Sequence, residues 1–244
     1  MSCKLILAKN YHDLSCLAAN RVIQELIVSN FKFNLALPTG NSPKLMYEIL
    51  VTESHKQNLD WSQVNFFALD EYLDVDLENT FANYLWQYFY KSIKLNPQKL
   101  FNPVTNPDYD NLINSLGGLA LTILGVGENG HIAFNEPHTP QLSYTHSLWL
   151  SESTRLANRK AFAQGSTIPN KAISVGLKTI LASSAIIVLI SGKSKTAILN
   201  KFLSGYVNND LPLSQLHYHN NWTIITDLPL EKTNLLLPIE IINA

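Results

Sequence analysis

The chain has 244 residues, of which 46% are apolar and 15% are charged, and its formal net charge at neutral pH is −1. This composition is typical of a globular protein with a buried core and excludes a disordered chain. Because the lysines and arginines are scattered, neither nucleic acid nor an anionic membrane surface is an expected partner, whereas a small anionic ligand is compatible.

The chain shows no disulfide framework and no segment typical of membrane insertion. Its two cysteines, Cys3 and Cys16, lack metal-ligand spacing and are predicted to be reduced thiols. The apolar run near the N-terminus is too short for a signal peptide, and no stretch reaches the roughly 20 apolar residues that a span requires. We therefore predict a cytoplasmic protein.

Short apolar runs alternate with helix-length segments along the sequence. In chain order, we predict a strand at 5–8, a helix at 13–29, a strand at 33–37, a helix at 42–52, a strand at 64–69, a helix at 80–93, strands at 119–124, 171–175 and 185–190, a helix at 193–203 and a strand at 222–226. Such alternation implies βαβ crossovers and a doubly wound, mainly parallel, Rossmann-like α/β sheet with helices on both faces. Since no repeat or Gly/Ser linker interrupts it, we predict one domain over residues 1–244.

The first polar motif, LALPTGNSP at 35–43, joins a predicted strand to a predicted helix. Gly40 permits a tight turn, Ser42 is predicted to cap the helix, and Pro43 fits its first turn. Amides at a helix N-terminus beside hydroxyl groups suit a phosphate, although the Gly-Lys-Ser/Thr ending of the ATP-binding loop is missing. From these residues alone, the motif is equally compatible with a phosphate-binding loop and with an ordinary capped turn.

The second motif, FFALDEY at 66–72, places two acids at the carboxyl end of an apolar strand, where parallel sheets bind ligands. A carboxylate there, with its pKa raised by apolar surroundings, suits a general base. The alternative is that Asp70 only caps the following turn.

The third motif, LGVGENGHIAFNEP at 124–137, has three glycines in six residues directly after a strand. His131 titrates near neutrality and can transfer protons, and Glu136 can orient and charge it. A lone loop histidine is usually structural, but this one lies between a glycine-rich turn and Asn-Glu-Pro. The motif therefore favours a catalytic histidine.

These three segments, in this order, resemble the signature segments of the glucosamine-6-phosphate deaminase/isomerase family. The resemblance extends to 153–158, 172–177 and 191–195, and spans the chain from about residue 3 to about residue 230. The related 6-phosphogluconolactonases usually have Asp-Glu-Arg in place of Asp70-Glu71-Tyr72, and Asp-Gly-His-Thr-Ala-Ser in place of residues 129–134.

The resemblance implies conversion of glucosamine 6-phosphate, or its galactosamine epimer, and water to a ketose 6-phosphate and ammonia, without a metal or organic cofactor. Asp70 matches the base that moves a proton from carbon 2 to carbon 1. His131 matches the group that opens the sugar ring, with help from Glu136 and Asn129. The residues implied to bind phosphate are Thr39, Gly40, Asn41, Ser42 and Lys195, with Lys160 and its neighbour Arg159. Further implied substrate contacts are Glu71, Tyr72 and Gly130.

The sequence departs from the family pattern at three places. Asn129 stands where some members have Asp. Lys160 stands where a phosphate-binding Arg is usual, which keeps the charge but loses the bidentate fork. The stretch after Tyr72 is shortened. These departures bear on the identity of the sugar more than on the chemistry.

Two rival functions stay open beside the deaminase. A lactonase-like hydrolase would use His131 to activate water, and a non-catalytic sugar-phosphate-binding regulatory module would need neither base nor acid. Because Asp70, His131 and Glu136 occur together and no DNA-binding helix-turn-helix precedes the sheet, we expect an enzyme. In the absence of an extended C-terminal element, we expect a monomer or small homo-oligomer.

Overall fold

The computed structural model describes residues 3–159, 162, 167–230 and 239–244, which form a parallel sheet of eight strands with helices on both sides. The strands are β1 (Lys4–Leu7), β2 (Asn34–Leu37), β3 (Asn65–Ala68), β4 (Asp70–Tyr72), β5 (Leu100–Phe101), β6 (Leu121–Gly125), β7 (His146–Trp149), β8 (Lys171–Ser174), β9 (Ala185–Ile190), β10 (Trp222–Thr226) and β11 (Glu240–Asn243). The order across the main sheet is β11-β1-β10-β9-β6-β2-β3-β5, and every neighbouring pair is parallel.

Two helical layers enclose this sheet. The α-helices are α1 (Tyr11–Val28), α2 (Lys44–Gln57), α3 (Phe81–Leu85), α4 (Tyr109–Ser115), α5 (Glu152–Asn158), α6 (Leu177–Leu181) and α7 (Thr196–Leu203). Because successive strand residues face opposite sides, Leu35 and Ile123 pack with α1 and α2, while Ala36 and Leu124 pack with α4, α6 and α7. The predicted doubly wound α/β architecture is confirmed.

A second, three-stranded antiparallel sheet has the order β4-β8-β7 and was not predicted. Only Leu69 separates β3 from β4, so the chain leaves the parallel sheet there and Asp70 pairs opposite Ser174. The strand predicted at 171–175 exists as β8, but it belongs to this small sheet because both of its neighbours run antiparallel to it.

Three predicted helices differ from the structure in how they begin or continue. Ser42 does not cap α2: Pro43 occupies the cap position without a side-chain hydrogen bond, since the chain first makes a turn in which the Lys44 amide reaches the Asn41 carbonyl. The helix predicted at 80–93 begins as α3, capped by Thr80, and then widens into a π-helical turn at Trp86–Tyr90. The helix predicted at 193–203 opens with a 3-10 turn at Lys193–Lys195.

The cysteines and the helices of the described residues bear on two further predictions. Cys3 and Cys16 are both free thiols, as predicted. Within those residues, none of the helices combines the length and the apolar character needed to span a bilayer.

Candidate active site

The carboxyl ends of four neighbouring strands border a cleft of about 800 Å³. Asp70 follows β3, residues 38–42 follow β2, residues 125–129 end and follow β6, and residues 191, 192, 194 and 195 follow β9. Helix α5 adds part of the wall. The predicted motifs therefore converge at the edge of the sheet where such folds bind ligands.

Asp70 presents a buried carboxyl group to this cleft. It is the first residue of β4 and is 9% exposed, and Tyr72 lines the cleft from the same strand. Burial first, and the charge of neighbouring Glu71 second, raise the pKa of Asp70 to about 8. A carboxyl group with a pKa near neutrality can both accept and return a proton at physiological pH.

Glu71 points away from the cleft. Its carboxylate accepts hydrogen bonds from the backbone amides of Tyr72 (2.9 Å), Phe81 (2.7 Å) and Ala82 (2.9 Å) and from Nδ2 of Asn102 (3.2 Å). It is 3% exposed and does not line the cleft. This placement does not fit the substrate contact that the resemblance implies, because adjacent strand residues face opposite sides.

The ring of His131 is held by an amide that stands between it and a carboxylate. Nδ1 of His131 lies 2.8 Å from Oδ1 of Asn129, and Nδ2 of Asn129 donates to Oε2 of Glu136 at 2.6 Å. The direct distance from Nδ1 of His131 to Oε2 of Glu136 is 3.9 Å. Since the carboxylate only accepts, the amide NH₂ faces Glu136 and the amide oxygen faces the ring. Nδ1 therefore carries the proton, and Nε2 is left as an acceptor.

Burial lowers the pKa of His131 below its ordinary value. The negative charge of Glu136 acts against this effect, and the positive charge of Lys195 adds to it. The imidazole is therefore neutral at physiological pH and can accept a proton at Nε2.

Two hydroxyl residues that sequence reasoning missed support this group. The amide and hydroxyl of Ser151 lie 3.4 Å and 3.1 Å from Oε1 of Glu136. Oγ1 of Thr154 lies 3.0 Å from the Ser151 hydroxyl and 3.4 Å from Nδ1 of His131. Thr154 lies in the segment 153–158 that carries part of the resemblance, and Ser151 begins α5 as its N-cap, so both positions had a local signal.

Two glycines of the third motif shape the turn around His131. A Cβ at Gly127 would lie 2.1 Å from Cε1 of His131, so only glycine leaves room for the ring. Gly130 has a φ of +85°, donates to the Gly127 carbonyl at 3.0 Å, and packs against Leu211. It does not line the cleft, so the structure places it in the turn and not at the predicted substrate contact.

The predicted phosphate loop and Lys195 line the same cleft. Within the loop, the Gly40 carbonyl accepts a hydrogen bond from the Tyr84 hydroxyl at 2.6 Å, and the Asn41 carbonyl accepts one from the Tyr11 hydroxyl at 2.8 Å. Burial lowers the pKa of Lys195, and Glu128 acts against this effect. The sequence analysis did not name several other cleft-lining residues as site residues: Tyr11, Tyr84, Glu128, Ser191, Gly192 and Ser194.

The remaining two predicted cations are Arg159 and Lys160. Arg159 is exposed at the end of α5 and does not line the cleft. Lys160 lies outside the described residues. Among the residues that are described, no three His, Cys, Asp or Glu side chains are grouped so that they could hold a metal ion.

Comparisons with known proteins agree with the geometry. The sequence profile of the family described as glucosamine-6-phosphate isomerases/6-phosphogluconolactonase matches residues 12–225. Glucosamine-6-phosphate deaminase 1 of Bacillus subtilis (strain 168) is 37% identical over 234 residues, which cover 92% of this chain and 96% of that protein. A glucosamine-6-phosphate deaminase of Clostridium acetobutylicum is 35% identical, with 92% and 97% covered.

Two solved structures have a similar fold. A monomeric glucosamine-6-phosphate deaminase superposes with a TM-score of 0.86 at 36% identity, covering 93% of this chain and 97% of the other. A 6-phosphogluconolactonase from Plasmodium vivax superposes with a TM-score of 0.71 at 19% identity, covering 91% and 89%. At that identity the likeness to the lactonase concerns the fold alone.

Proposed function

The chain belongs to the glucosamine-6-phosphate isomerase/6-phosphogluconolactonase family, and we propose that it acts as a glucosamine-6-phosphate deaminase. The observation that carries the proposal is that one cleft brings together a buried carboxyl group of raised pKa, a neutral histidine, and a loop and a lysine whose groups suit an anion. Two of these groups can move protons while the third holds the phosphate.

The first step is opening of the sugar ring. Nε2 of His131 accepts the proton of the carbon 1 hydroxyl and returns a proton to the ring oxygen, which breaks the bond from that oxygen to carbon 1. The hydrogen bond from Nδ1 to Asn129 keeps the accepting nitrogen toward the cleft, and the charge of Glu136 stabilises the imidazolium that forms briefly.

The second step is transfer of a proton between two carbons. Asp70, in its ionised form, removes the proton from carbon 2, and the carbon 1 oxygen takes a proton from the ammonium group on carbon 2, giving a neutral enolamine. Asp70 then returns its proton to carbon 1, which leaves a protonated imine at carbon 2. Addition of water to this imine releases ammonia and the ketose 6-phosphate. General acid–base help of this kind contributes about 10²–10⁴-fold per group.

The phosphate end anchors the substrate during these steps. The hydroxyls and amides of residues 39–42 and the ammonium of Lys195 all line the cleft and are available to the phosphate. Because the hydroxyls of Tyr84 and Tyr11 donate hydrogen bonds to loop carbonyls, they hold the loop in place before substrate binds. Anchoring a remote group in this way positions carbon 2 against the base.

Steady-state kinetics separate the deaminase from its rivals. We expect ammonia release from glucosamine 6-phosphate or galactosamine 6-phosphate, and no comparable hydrolysis of 6-phosphogluconolactone. In Asp70→Asn, substrate binding should persist while turnover falls by at least ~10²-fold. Lactone hydrolysis without ammonia release would support the hydrolase, and tight binding without turnover of any of the three compounds would support the regulatory module.

We also infer that the protein is cytoplasmic and acts as a monomer or small homo-oligomer on a small molecule, without a nucleic acid or membrane partner. The inference is supported by the net charge of −1 without clustered cations and by the similarity to a deaminase that is itself monomeric. Light scattering coupled to size exclusion would measure the mass. A stable hexamer would contradict the inference.

A further inference from the structure

We propose that Glu71 is a positioning residue for the proposed base: its carboxylate, held behind β4 by four N–H donors, places a fixed negative charge beside Asp70 and ties the base to the wall of the cleft. The inference rests on the proposed function for the role of Asp70. It assigns Glu71 a place in the reaction without contact to the substrate.

Strand geometry puts the two acids on opposite sides of β4. Asp70 and Tyr72 line the cleft, whereas Glu71, the residue between them, does not. Side chains alternate along a strand, so neighbouring carboxyl groups stay close through the backbone while only one of them can reach substrate.

The two carboxyl groups differ sharply in their hydrogen bonds. Each oxygen of Glu71 accepts two N–H groups, four in all. A protonated Glu71 would turn an O–H toward one of these donors and lose that bond, so these hydrogen bonds favour its ionised form. In the described part of the chain, no protein group donates a hydrogen bond to the Asp70 carboxyl. The pair therefore ionises in order, Glu71 first and Asp70 second.

A fixed charge behind β4 affects Asp70 strongly because both groups are buried. Asp70 is 9% exposed and Glu71 is 3% exposed. Repulsion between like charges is screened poorly away from water. Burial raises the pKa of both carboxyl groups, but the hydrogen bonds to Glu71 act against this effect, and the charge of Glu71 adds to the rise at Asp70. Environments that separate the pKa values of two neighbouring acids are a common basis for assigning them different roles.

Among the described residues, Glu71 is the one whose charge raises the pKa of Asp70. Tyr47 of α2 and Tyr72 of β4 interact with Asp70, but burial raises the pKa of both phenols, so they are neutral. Ser174, opposite Asp70 on β8, does not titrate. The remaining titratable groups that line the cleft are Tyr11, Tyr84, Glu128, His131 and Lys195.

Glu71 also connects the base to the phosphate end of the cleft. Two of its donors, the amides of Phe81 and Ala82, belong to the start of α3. The same helix carries Tyr84, whose hydroxyl holds the Gly40 carbonyl. One carboxylate thus fixes the relative position of the base and the loop that anchors the substrate.

The test replaces Glu71 by glutamine, which keeps the size of the side chain and removes its charge. We expect the acid limb of the kcat–pH profile, where Asp70 loses its proton, to move to lower pH by about one unit or more. The matched control is Asn102→Ala, which removes one donor but leaves the charge on Glu71, so its acid limb should stay at the wild-type pH.

An activity-independent readout accompanies the profile. The carboxyl carbon of Asp70 can be followed by ¹³C NMR and assigned by its loss in Asp70→Asn. Its titration should shift downward in Glu71→Gln by the same amount as the acid limb. An unchanged titration, with only a lower melting temperature, would show that Glu71 is merely structural and overturn the proposal.

The wild-type protein supplies a test that does not depend on folding of the variant. In the wild type, the Glu71 carboxyl carbon should remain in its ionised state across the pH range in which Asp70 titrates. If Glu71 instead titrates above Asp70, the proposal is wrong. If the wild type releases no ammonia, the proposed function fails, and the NMR titrations still decide whether Glu71 raises the proton affinity of Asp70.

Discussion

Replacement of Gly127 by alanine should disable His131 without removing any group that donates or accepts protons. The new Cβ would lie 2.1 Å from Cε1, 2.3 Å from Nδ1 and 2.4 Å from Nε2 of the ring. The backbone hydrogen bond from Gly127 to the His131 carbonyl (2.9 Å) can remain, because alanine keeps the amide. The perturbation is therefore confined to the position of the imidazole.

The size of the effect follows from the distance that the ring must move. To reach an ordinary contact of 3.4 Å, the ring has to retreat by about 1.3 Å. A shift of that size is enough to break its 2.8 Å hydrogen bond to Asn129. Misplacement of a catalytic group by about 1 Å costs roughly 10²-fold in rate. Crowding in a packed region lowers the free energy of unfolding by about 1–3 kcal/mol.

The assay compares turnover of glucosamine 6-phosphate with the ¹⁵N signals of the His131 ring in the same variant. Gly125→Ala is the control for the ring, because a Cβ there meets no heavy atom within 4 Å, and its His131 signals should match the wild type. If Gly127→Ala turns over at the wild-type rate with an unchanged Nδ1 proton, then the space left by Gly127 does not position the ring.

Three further predictions concern the groups that line the cleft. Folding raises the pKa of Asp70 from 3.8 to about 8, so between these pH values the folded state binds more protons than the unfolded state and loses stability as the pH rises. Asp70→Asn should therefore melt at a higher temperature than the wild type at pH 9 but not at pH 4. A difference in melting temperature that does not depend on pH would contradict this. Lys195→Ala should mainly raise KM, because the phosphate charge is paired in the ground and transition states alike; equal KM values for phosphorylated and unphosphorylated amino sugars in the wild type would remove the anion site. His131→Gln should abolish turnover of the cyclic substrate but keep the affinity for an acyclic 2-amino-sugar alcohol phosphate, whereas joint loss of turnover, affinity and melting temperature would show that the ring only packs the loop.

The inner strands of the main sheet could be predicted because they are largely buried and appear as continuous apolar runs, whereas the edge strands β5 and β11 are partly exposed and were not predicted. The strand at 185–190 has the predicted bounds, and 222–226 does as well. The small sheet could not be predicted in this way. Strand β4 has three residues, two of them acids, and β7 alternates between half-buried and exposed positions. Such strands exist because a distant partner, β8, supplies their hydrogen bonds.

The site could be predicted where one short motif carries several of its residues. Residues 39–42, Asp70 and His131 each follow a strand, and parallel strands end at one edge, so their convergence followed from the fold. Tyr11 and Tyr84 join the site through tertiary packing of helices and left no motif. The substrate contact implied for Glu71 came from the resemblance and not from the strand pattern: successive residues of a strand face opposite sides, and the alternation of β4 places Glu71 outside the cleft.

The position of β1 has a consequence for how the chain is made. β1 lies between β10 and β11, and Leu5 pairs with Ile224 on one side and Ile241 on the other. Ile224 follows Leu5 by 219 residues (224 − 5) and Ile241 comes later still, so β1 is synthesised about 10–40 s before its partners at ordinary rates of synthesis. During that time both edges of the first strand are unpaired, and its apolar residues are open to association with other chains. Closing the sheet across nearly the whole sequence is a step of high contact order, which makes it slow. A protein that ends before β10 is therefore expected to aggregate, even though every cleft residue named above precedes that strand.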